Sequence, residues 1–179
     1  MRERLIALLR ERSVERGDFV LASGRRSSYY IDCRRTTMHA EGLGLVGALG
    51  LDAIRGAGWE AEAVGGLTLG ADPVAYAIAR ASADAPPLLN GFTVRKQAKA
   101  HGAQRRIEGC FASGARVVVV EDVITSGGSA LEAVAAVRAE GGVVAGVLAV
   151  VDRDEGGALA LRDAGLPVRT LVPVGELLG

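Results

Sequence analysis

Apolar residues in this chain fall into short runs that alternate with segments of helical spacing. The runs typical of buried strands are 61–64, 92–94, 117–120, 143–151 and 168–172. Between them, helical spacing predicts four helices. One covers about 41–54, one begins near Pro73, one follows Ser129, and a short one ends at about 164. Strands that alternate with helices predict an α/β fold with a Rossmann-like parallel sheet, right-handed crossovers and flanking helices.

The first forty residues lie outside this alternation. Their pattern predicts a helix over about 1–16, which Gly17 ends, followed by short strands at 19–21 and 29–33. The polar turn between these two strands predicts a hairpin with a longer loop. We expect this N-terminal segment to form a small hood subdomain over one edge of the sheet.

Polar loops follow three of the predicted strands, at 65–70, 121–129 and 152–157. In open α/β sheets, ligands bind outside the carboxyl ends of the strands, so we expect the site and the hood at this edge. The tail at 174–178, with one predicted helical turn, is expected to contribute to the hood.

Composition fits one domain over 1–179, since 179 residues with 49% apolar content suffice for a substantial core. Lys plus Arg and Asp plus Glu each number 21, which gives no reason to expect nucleic acid or a membrane surface. The charged N-terminus is unlike a signal peptide, and Cys33 and Cys110 form no C-x-x-C pair. We therefore expect a cytoplasmic protein with two reduced thiols, although a disulfide is the alternative.

The stretch 117–129 reads V-V-V-V-E-D-V-I-T-S-G-G-S, a strand, two acids, a glycine-rich turn and the start of a helix. Glycines and helix N-terminal amides form sites for phosphate. Glu121 and Asp122 would repel phosphate, so we expect them to bind sugar hydroxyls, directly or near a bound cation. The alternative is an ordinary strand-to-helix loop with a capping Ser or Thr.

A second glycine pattern, G-x-G-x-x-G at 42–47, is not predicted to bind a dinucleotide. No strand leads into it, as such a site requires. Small residues on a closely packed helix explain these glycines better.

The segment 95–106 reads R-K-Q-A-K-A-H-G-A-Q-R-R and contains no acid and little apolar content. Burial cannot order such a segment, so we expect a mobile loop in the free protein. A solvated basic loop without a functional role is the alternative.

The stretch 117–129 resembles the PRPP-binding signature of type I phosphoribosyltransferases, where PRPP is 5-phosphoribosyl 1-diphosphate. In that family the acids hold the ribose 2′- and 3′-hydroxyls and the glycine-rich loop holds the 5′-phosphate. Three further stretches resemble orotate phosphoribosyltransferases: R-K-x-x-K-x-H-G from Arg95, the N-terminal hairpin 19–32, and V-V-D-R at 150–153. The resemblance spans nearly the whole chain and implies the type I phosphoribosyltransferase fold and transfer of ribose 5-phosphate to orotate.

The resemblance also implies residue roles. Lys99 is expected to be the main catalyst of the loop, with His101 as proton or hydrogen-bond donor and Asp122 as the third catalytic group. PRPP would be bound by Arg95, Lys96, Lys99, His101, Glu121, Asp122, Val123, Ile124, Thr125, Ser126, Gly127, Gly128 and Ser129. Orotate would be bound by Tyr29, Tyr30, Arg153 and the backbone of Thr125.

Two of these residues have structural alternatives. Arg153 could instead be an ion-pair partner of Asp152 or Asp154. Thr125 could instead only contribute to capping the following helix.

The family further implies Mg²⁺ held mainly by PRPP, with no direct protein ligand, and a homodimer in which the loop 95–106 closes over the neighbouring subunit's site. Some family members carry lysines at the positions of Ala22 and Leu69, which this chain lacks. Here the phosphates would rely on loop backbone amides and on Arg34 or Arg35. Two alternatives stay open: a phosphoribosyltransferase for a purine or uracil base, and a PRPP-sensing regulator without catalysis.

Overall fold

The computed structural model describes residues 1–20, 24, 26–97 and 105–179. A six-stranded sheet of order β5-β4-β3-β6-β7-β8 forms its centre, parallel except for β5, which pairs antiparallel with β4. Its strands are β3 (Ala63–Leu67), β4 (Asn90–Val94), β5 (Ile107–Gly109), β6 (Arg116–Ile124), β7 (Val143–Asp152) and β8 (Val168–Pro173). The expected α/β fold class is confirmed.

The helices are α1 (Arg2–Arg12), α2 (Arg34–Thr37), α3 (Ala40–Gly56), α4 (Ala71–Asp84), α5 (Gly128–Ala139), α6 (Gly157–Asp163) and α7 (Gly175–Leu178). A separate antiparallel hairpin joins β1 (Val14–Val20) to β2 (Arg26–Ile31), as predicted.

Strand β6 is buried on both faces because its valines alternate between two core layers. Val118 and Val120 pack in a layer with residues of α3 and α4, while Val117 and Val119 pack with residues of α5. All four are 0% exposed. Burial of apolar surface on both sides fixes this strand in the middle of the sheet.

The sheet reverses its direction of growth between β3 and β6. These two strands are neighbours, but the chain leaves β3 toward β4 and leaves β6 toward β7. The loops after β3 and β6 therefore diverge and leave a crevice between them. This is the position at which open α/β sheets bind ligands.

Several predicted boundaries are wrong. Glu121 and Asp122 lie inside β6, not after it, and Gly65 and Gly66 lie inside β3, not in a loop. A side chain at Gly66 would overlap the carbonyl oxygen of Val120, so close approach of β3 to β6 requires glycine there. Both strands therefore contain polar or small residues that the sequence pattern assigned to loops.

The N-terminal boundaries also differ from the prediction. Helix α1 ends at Arg12, and Gly17 lies within β1. Helix α4 begins at Ala71 with Gly70 as its N-cap, slightly before the predicted start near Pro73, and the Asp72 carboxylate accepts hydrogen bonds from Thr68 and Thr93.

The N-terminal and C-terminal segments contact each other. Arg2 donates two hydrogen bonds of 2.8 and 2.7 Å to the Glu176 carboxylate, and Arg10 donates to the Glu176 carbonyl. These contacts join α1 to α7. The single-domain organisation with a hood stays a prediction.

Close packing explains Gly42 and Gly47, two of the three glycines in the pattern at 42–47, whereas Gly44 has open space around it. A Cβ at Gly47 would lie 2.5 Å from the carbonyl oxygen of Ala77 in α4. Over the described ranges, the helices are too short or too polar to cross a lipid bilayer.

Candidate active site

A cavity of about 280 Å³ opens in the crevice between the ends of β3 and β6. The loop after β3, the end of β6 and the N-terminal segment all contribute to its walls. Its lining residues are Tyr30, Ile31, Asp32, Arg34, Leu67, Thr68, Leu69, Gly70, Lys96, Glu121, Asp122, Val123 and Ser129.

Two adjacent carboxylates form the buried wall of this cavity. Glu121 is 6% exposed and Asp122 is 9% exposed. Burial, together with the neighbouring charge of Asp122, raises the pKa of Glu121 to about 8. Burial also raises the pKa of Asp122, although a hydrogen bond from the Val123 amide at 2.9 Å opposes that shift.

The acid pair is held close to the loop after β3. A side chain at Gly70 would collide with the carboxylate of Asp122, so glycine is required for this approach. Oε1 of Glu121 is buried and accepts no hydrogen bond from another described residue. A buried acceptor of this kind favours a ligand that brings hydroxyl donors or a cation.

A smaller pocket of about 40 Å³ adjoins the cavity beyond Glu121. Its lining residues are Glu121, Val123, Ile124, Thr125, Ser126, Gly127, Gly128, Ser129 and Ala130. Gly127 has a left-handed φ of +81°, which turns the backbone into the first turn of α5. The pocket therefore combines helix N-terminal amides with small side chains, an arrangement that suits a phosphate group.

Arg153 follows β7, and its amide donates a hydrogen bond of 3.0 Å to the carbonyl of Ile124 at the end of β6. Its side chain is buried at 6% exposure, and its Cζ stacks 5.0 Å from the ring centre of Tyr29. Its Nη2 is 2.9 Å from Oε1 of Glu155, so the ion-pair partner is Glu155 and not Asp152 or Asp154. The Nε atom of Arg153 is also buried, and it has no hydrogen-bond partner among the described residues.

The structure brings Tyr29 and Arg153 together but places Tyr30 elsewhere. Because side chains alternate along a strand, Tyr30 faces the opposite way and lines the main cavity. Its ring lies 5.7 Å from that of Phe19.

The basic segment begins and ends at the edge of the sheet. Arg95 donates its amide to the carbonyl of Arg106 at 2.8 Å, and Arg106 donates side-chain bonds back to the Arg95 carbonyl. Lys96 lines the main cavity, but Arg95 lies 3.5 Å from Glu108 and lines a neighbouring cavity instead. Lys99 and His101 lie outside the described residues.

Sequence reasoning missed three contributors to this site. Thr68 and Asp32 line the cavity, and Asp72 supports it by accepting hydrogen bonds of 2.7 and 2.8 Å from Thr68 and Thr93. Gly70 was a sequence feature that could have indicated close contact between this loop and a neighbouring element. No local pattern indicated Asp32, because its role depends on where the hairpin folds back.

Comparisons with known proteins show which proteins this chain is similar to. No family model matches the sequence. An orotate phosphoribosyltransferase of Rhodopirellula baltica is 46% identical over 174 residues, which cover 95% of this chain and 90% of that protein. The crystal structure of a Mycobacterium tuberculosis H37Rv orotate phosphoribosyltransferase with Fe(III) dicitrate has a TM-score of 0.89, at 48% identity and 99% coverage of both chains. The same enzyme in complex with PRPP has a TM-score of 0.84, at 44% identity and 98% coverage of both chains.

The raised pKa of Glu121 predicts a specific dependence of stability on pH. Because the folded state holds the proton more tightly, this stabilising contribution is complete below about pH 4.5 and is lost as pH rises through about 8. We expect Glu121→Gln to remove the loss, so its free energy of unfolding exceeds that of the wild type by about 2–4 kcal/mol near pH 9. Urea unfolding across this pH range measures the difference.

Glu60→Gln is the matched control, since Glu60 is exposed and precedes β3 at the opposite edge of the sheet. It should keep the wild-type slope of stability against pH. An unchanged slope in Glu121→Gln would show that Glu121 does not hold its proton in the folded protein.

Proposed function

The chain belongs to the orotate phosphoribosyltransferase family, and we propose that the crevice between β3 and β6 is its active site. The enzyme transfers ribose 5-phosphate from PRPP to orotate, which yields orotidine 5′-monophosphate and diphosphate in pyrimidine biosynthesis. The observation that supports the site is the buried acid pair Glu121–Asp122 beside a phosphate-sized pocket at the position where the sheet reverses.

PRPP would lie across the two adjoining cavities. Its 5′-phosphate would occupy the small pocket, where Thr125, Ser126, Gly127, Gly128 and Ser129 supply amides and hydroxyls. Its ribose hydroxyls would donate to Glu121 and Asp122 and thereby satisfy the open acceptor of Glu121. Val123 and Ile124 would shape the wall between the two parts.

Orotate would bind against the hairpin and the end of β7. Arg153 is the cation for the orotate carboxylate, because it is buried, held by Glu155 and stacked on Tyr29. Tyr30 would contact the base from the cavity wall, and the Thr125 backbone would hydrogen-bond to it. A buried arginine favours orotate over purine bases and uracil, which have no carboxylate.

In the reaction, N1 of orotate forms a bond to C1 of the ribose and loses its proton, which the leaving diphosphate or water takes up. The bond from C1 to the diphosphate oxygen breaks at the same time, with inversion at C1, and its electron pair leaves with the diphosphate. Positive charge develops on the ribose and negative charge on the leaving diphosphate. Asp122 and Glu121 would orient the ribose and oppose its developing positive charge. Closure of the loop 95–106 would exclude water, which would otherwise hydrolyse the cation-like ribosyl group.

Magnesium is expected with PRPP. Among the described residues no cluster of three His, Cys, Asp or Glu side chains could hold an ion, but the open carboxylate oxygen of Glu121 suits a cation that the substrate carries. When bound, Mg²⁺ would offset negative charge on the diphosphate.

The basic segment 95–106 is proposed to supply the remaining positive charge. Lys99 would stabilise the leaving diphosphate, and His101 would donate a proton or hydrogen bond to it. We propose that this segment serves the site of the second subunit in a homodimer, and that the enzyme is cytoplasmic.

Orotate absorbance tests the substrate. The wild type should consume orotate when PRPP and magnesium are present. Arg153→Gln should raise the KM for orotate by about 10–100-fold, since charged hydrogen bonds are lost, and change the KM for PRPP much less. Arg162→Gln is the matched control, because Arg162 is an exposed arginine in α6, the helix that follows Arg153 in the chain. It should behave as wild type.

Two results would contradict this function. Turnover of a purine base without orotate consumption would identify a different phosphoribosyltransferase. PRPP binding without turnover of any base would identify a regulator.

Mixing of inactive variants tests loop donation. Lys99→Ala and Asp122→Asn should each be nearly inactive, but a heterodimer of the two has one site with an intact acid pair and an intact borrowed loop. Random exchange puts half of the dimers in this form, so we expect about a quarter of wild-type activity after co-refolding.

A mixture of Lys99→Ala with His101→Ala is the control, because every site then receives a damaged loop. It should regain no activity. If subunits exchange and the first mixture also stays inactive, the loop acts within its own chain.

A further inference from the structure

The main cavity has more acidic than basic side chains in its walls. Asp32, Glu121 and Asp122 are the carboxylates, while Arg34 and Lys96 are the cations among the described lining residues. A diphosphate group would be repelled at close range by those of the three carboxyl groups that are ionised. Its binding therefore depends on the placement of the two cations.

The order of subsites along the crevice indicates where the diphosphate lies. The small phosphate pocket adjoins the main cavity at Glu121, Val123 and Ser129. The loop 68–70, Lys96 and Arg34 line the main cavity but not the small pocket, so they form a wall outside that pocket. Because the two phosphate-bearing carbons of PRPP flank its hydroxyl-bearing carbons, a sugar held at the acid pair directs its diphosphate toward this wall.

Arg34 is fixed at this wall by Asp32. Nε of Arg34 donates to Oδ1 at 2.8 Å and Nη2 donates to Oδ2 at 3.0 Å, while the Arg34 amide donates to Oδ1 at 3.1 Å. This fork uses one edge of the guanidinium and leaves Nη1 to point away from Asp32. The pair also keeps the pKa of Asp32 below its ordinary value, so the anchor stays ionised.

The neighbouring Arg35 is held in a different place. Its side chain pairs with Glu15 on β1 and does not line the cavity. Two adjacent arginines of equal charge therefore differ in position, one at the cavity wall and one on the outer side of the hairpin.

We propose that Arg34, oriented by Asp32, binds the diphosphate group of PRPP and the diphosphate product. This assignment rests on the proposed site and adds a residue of the N-terminal segment to it. Asp32 is a positioning residue, since it acts through Arg34. The N-terminal segment then contributes charge to the leaving-group side of the reaction as well as a wall to the cavity.

Steady-state kinetics and calorimetry with magnesium diphosphate test this role. Arg34→Ala should raise the KM for PRPP and the Kd for magnesium diphosphate by about tenfold, at the low end for a charged hydrogen bond because Arg34 is partly exposed. The KM for orotate should change less than about twofold. Arg34→Lys keeps the charge but loses the two-point hydrogen bonding to Asp32. Its Kd for magnesium diphosphate should therefore lie between those of the wild type and Arg34→Ala.

Arg35→Ala is the matched control and should match the wild type in all three constants. Asp32→Asn should weaken diphosphate binding in the same direction as Arg34→Ala, and Asp32→Asn combined with Arg34→Ala should add little. If Arg34→Ala fails to fold, Arg34→Lys and Asp32→Asn supply the comparison.

Two outcomes would overturn the role of Arg34: an unchanged Kd for magnesium diphosphate, or a rise confined to the KM for orotate. A wild-type enzyme that binds PRPP but leaves orotate unreacted would instead contradict the proposed function. The two failures are thus distinguishable.

Discussion

The burial of two adjacent carboxylates at the end of a central strand is the constraint on which this structure depends. Glu121 and Asp122 are almost fully enclosed, and neither forms an ion pair with another described residue. Burial without such a partner is unfavourable, as the raised pKa of both groups shows. The valines of β6 hold the pair in place, because their burial in two core layers fixes the strand on which both acids lie.

The neighbouring elements pack closely around this pair. Gly66 lets β3 lie against β6, and Gly70 lets the following loop reach the carboxylate of Asp122. Asp72 then fixes Thr68 on that loop, and the Asp32–Arg34 pair lines the same cavity from the N-terminal segment. A substrate that brings sugar hydroxyls between two phosphorylated ends complements this arrangement, since it satisfies the acids and places its anions on the amides and cations at either end.

Sequence predicted the fold class well, because it depends on local pattern. Runs of β-branched residues indicated the buried strands, and the order of acids, glycines and helix indicated the small pocket at the start of α5. Strand boundaries were less predictable, because Gly65, Gly66 and Glu121 are strand residues only through contacts with neighbouring strands. Strand β5 is three residues long and is defined by its pairing with β4, which no local pattern specifies. The separation of Arg34 from Arg35 likewise depends on the fold of the hairpin, so two adjacent identical residues could not be distinguished from sequence.

Proton release on PRPP binding tests the central role of the acid pair most directly. In the free protein the raised pKa keeps Glu121 largely protonated near neutral pH, and hydroxyl donors or a cation would favour its ionised form. Calorimetric titration of the wild type and Glu121→Gln with PRPP and magnesium, in buffers of different ionisation enthalpy, counts the released protons. We expect the wild type to release more protons than Glu121→Gln near neutral pH, by up to about one per site. Equal proton release by the two proteins would contradict the view that the buried acid pair receives the ribose.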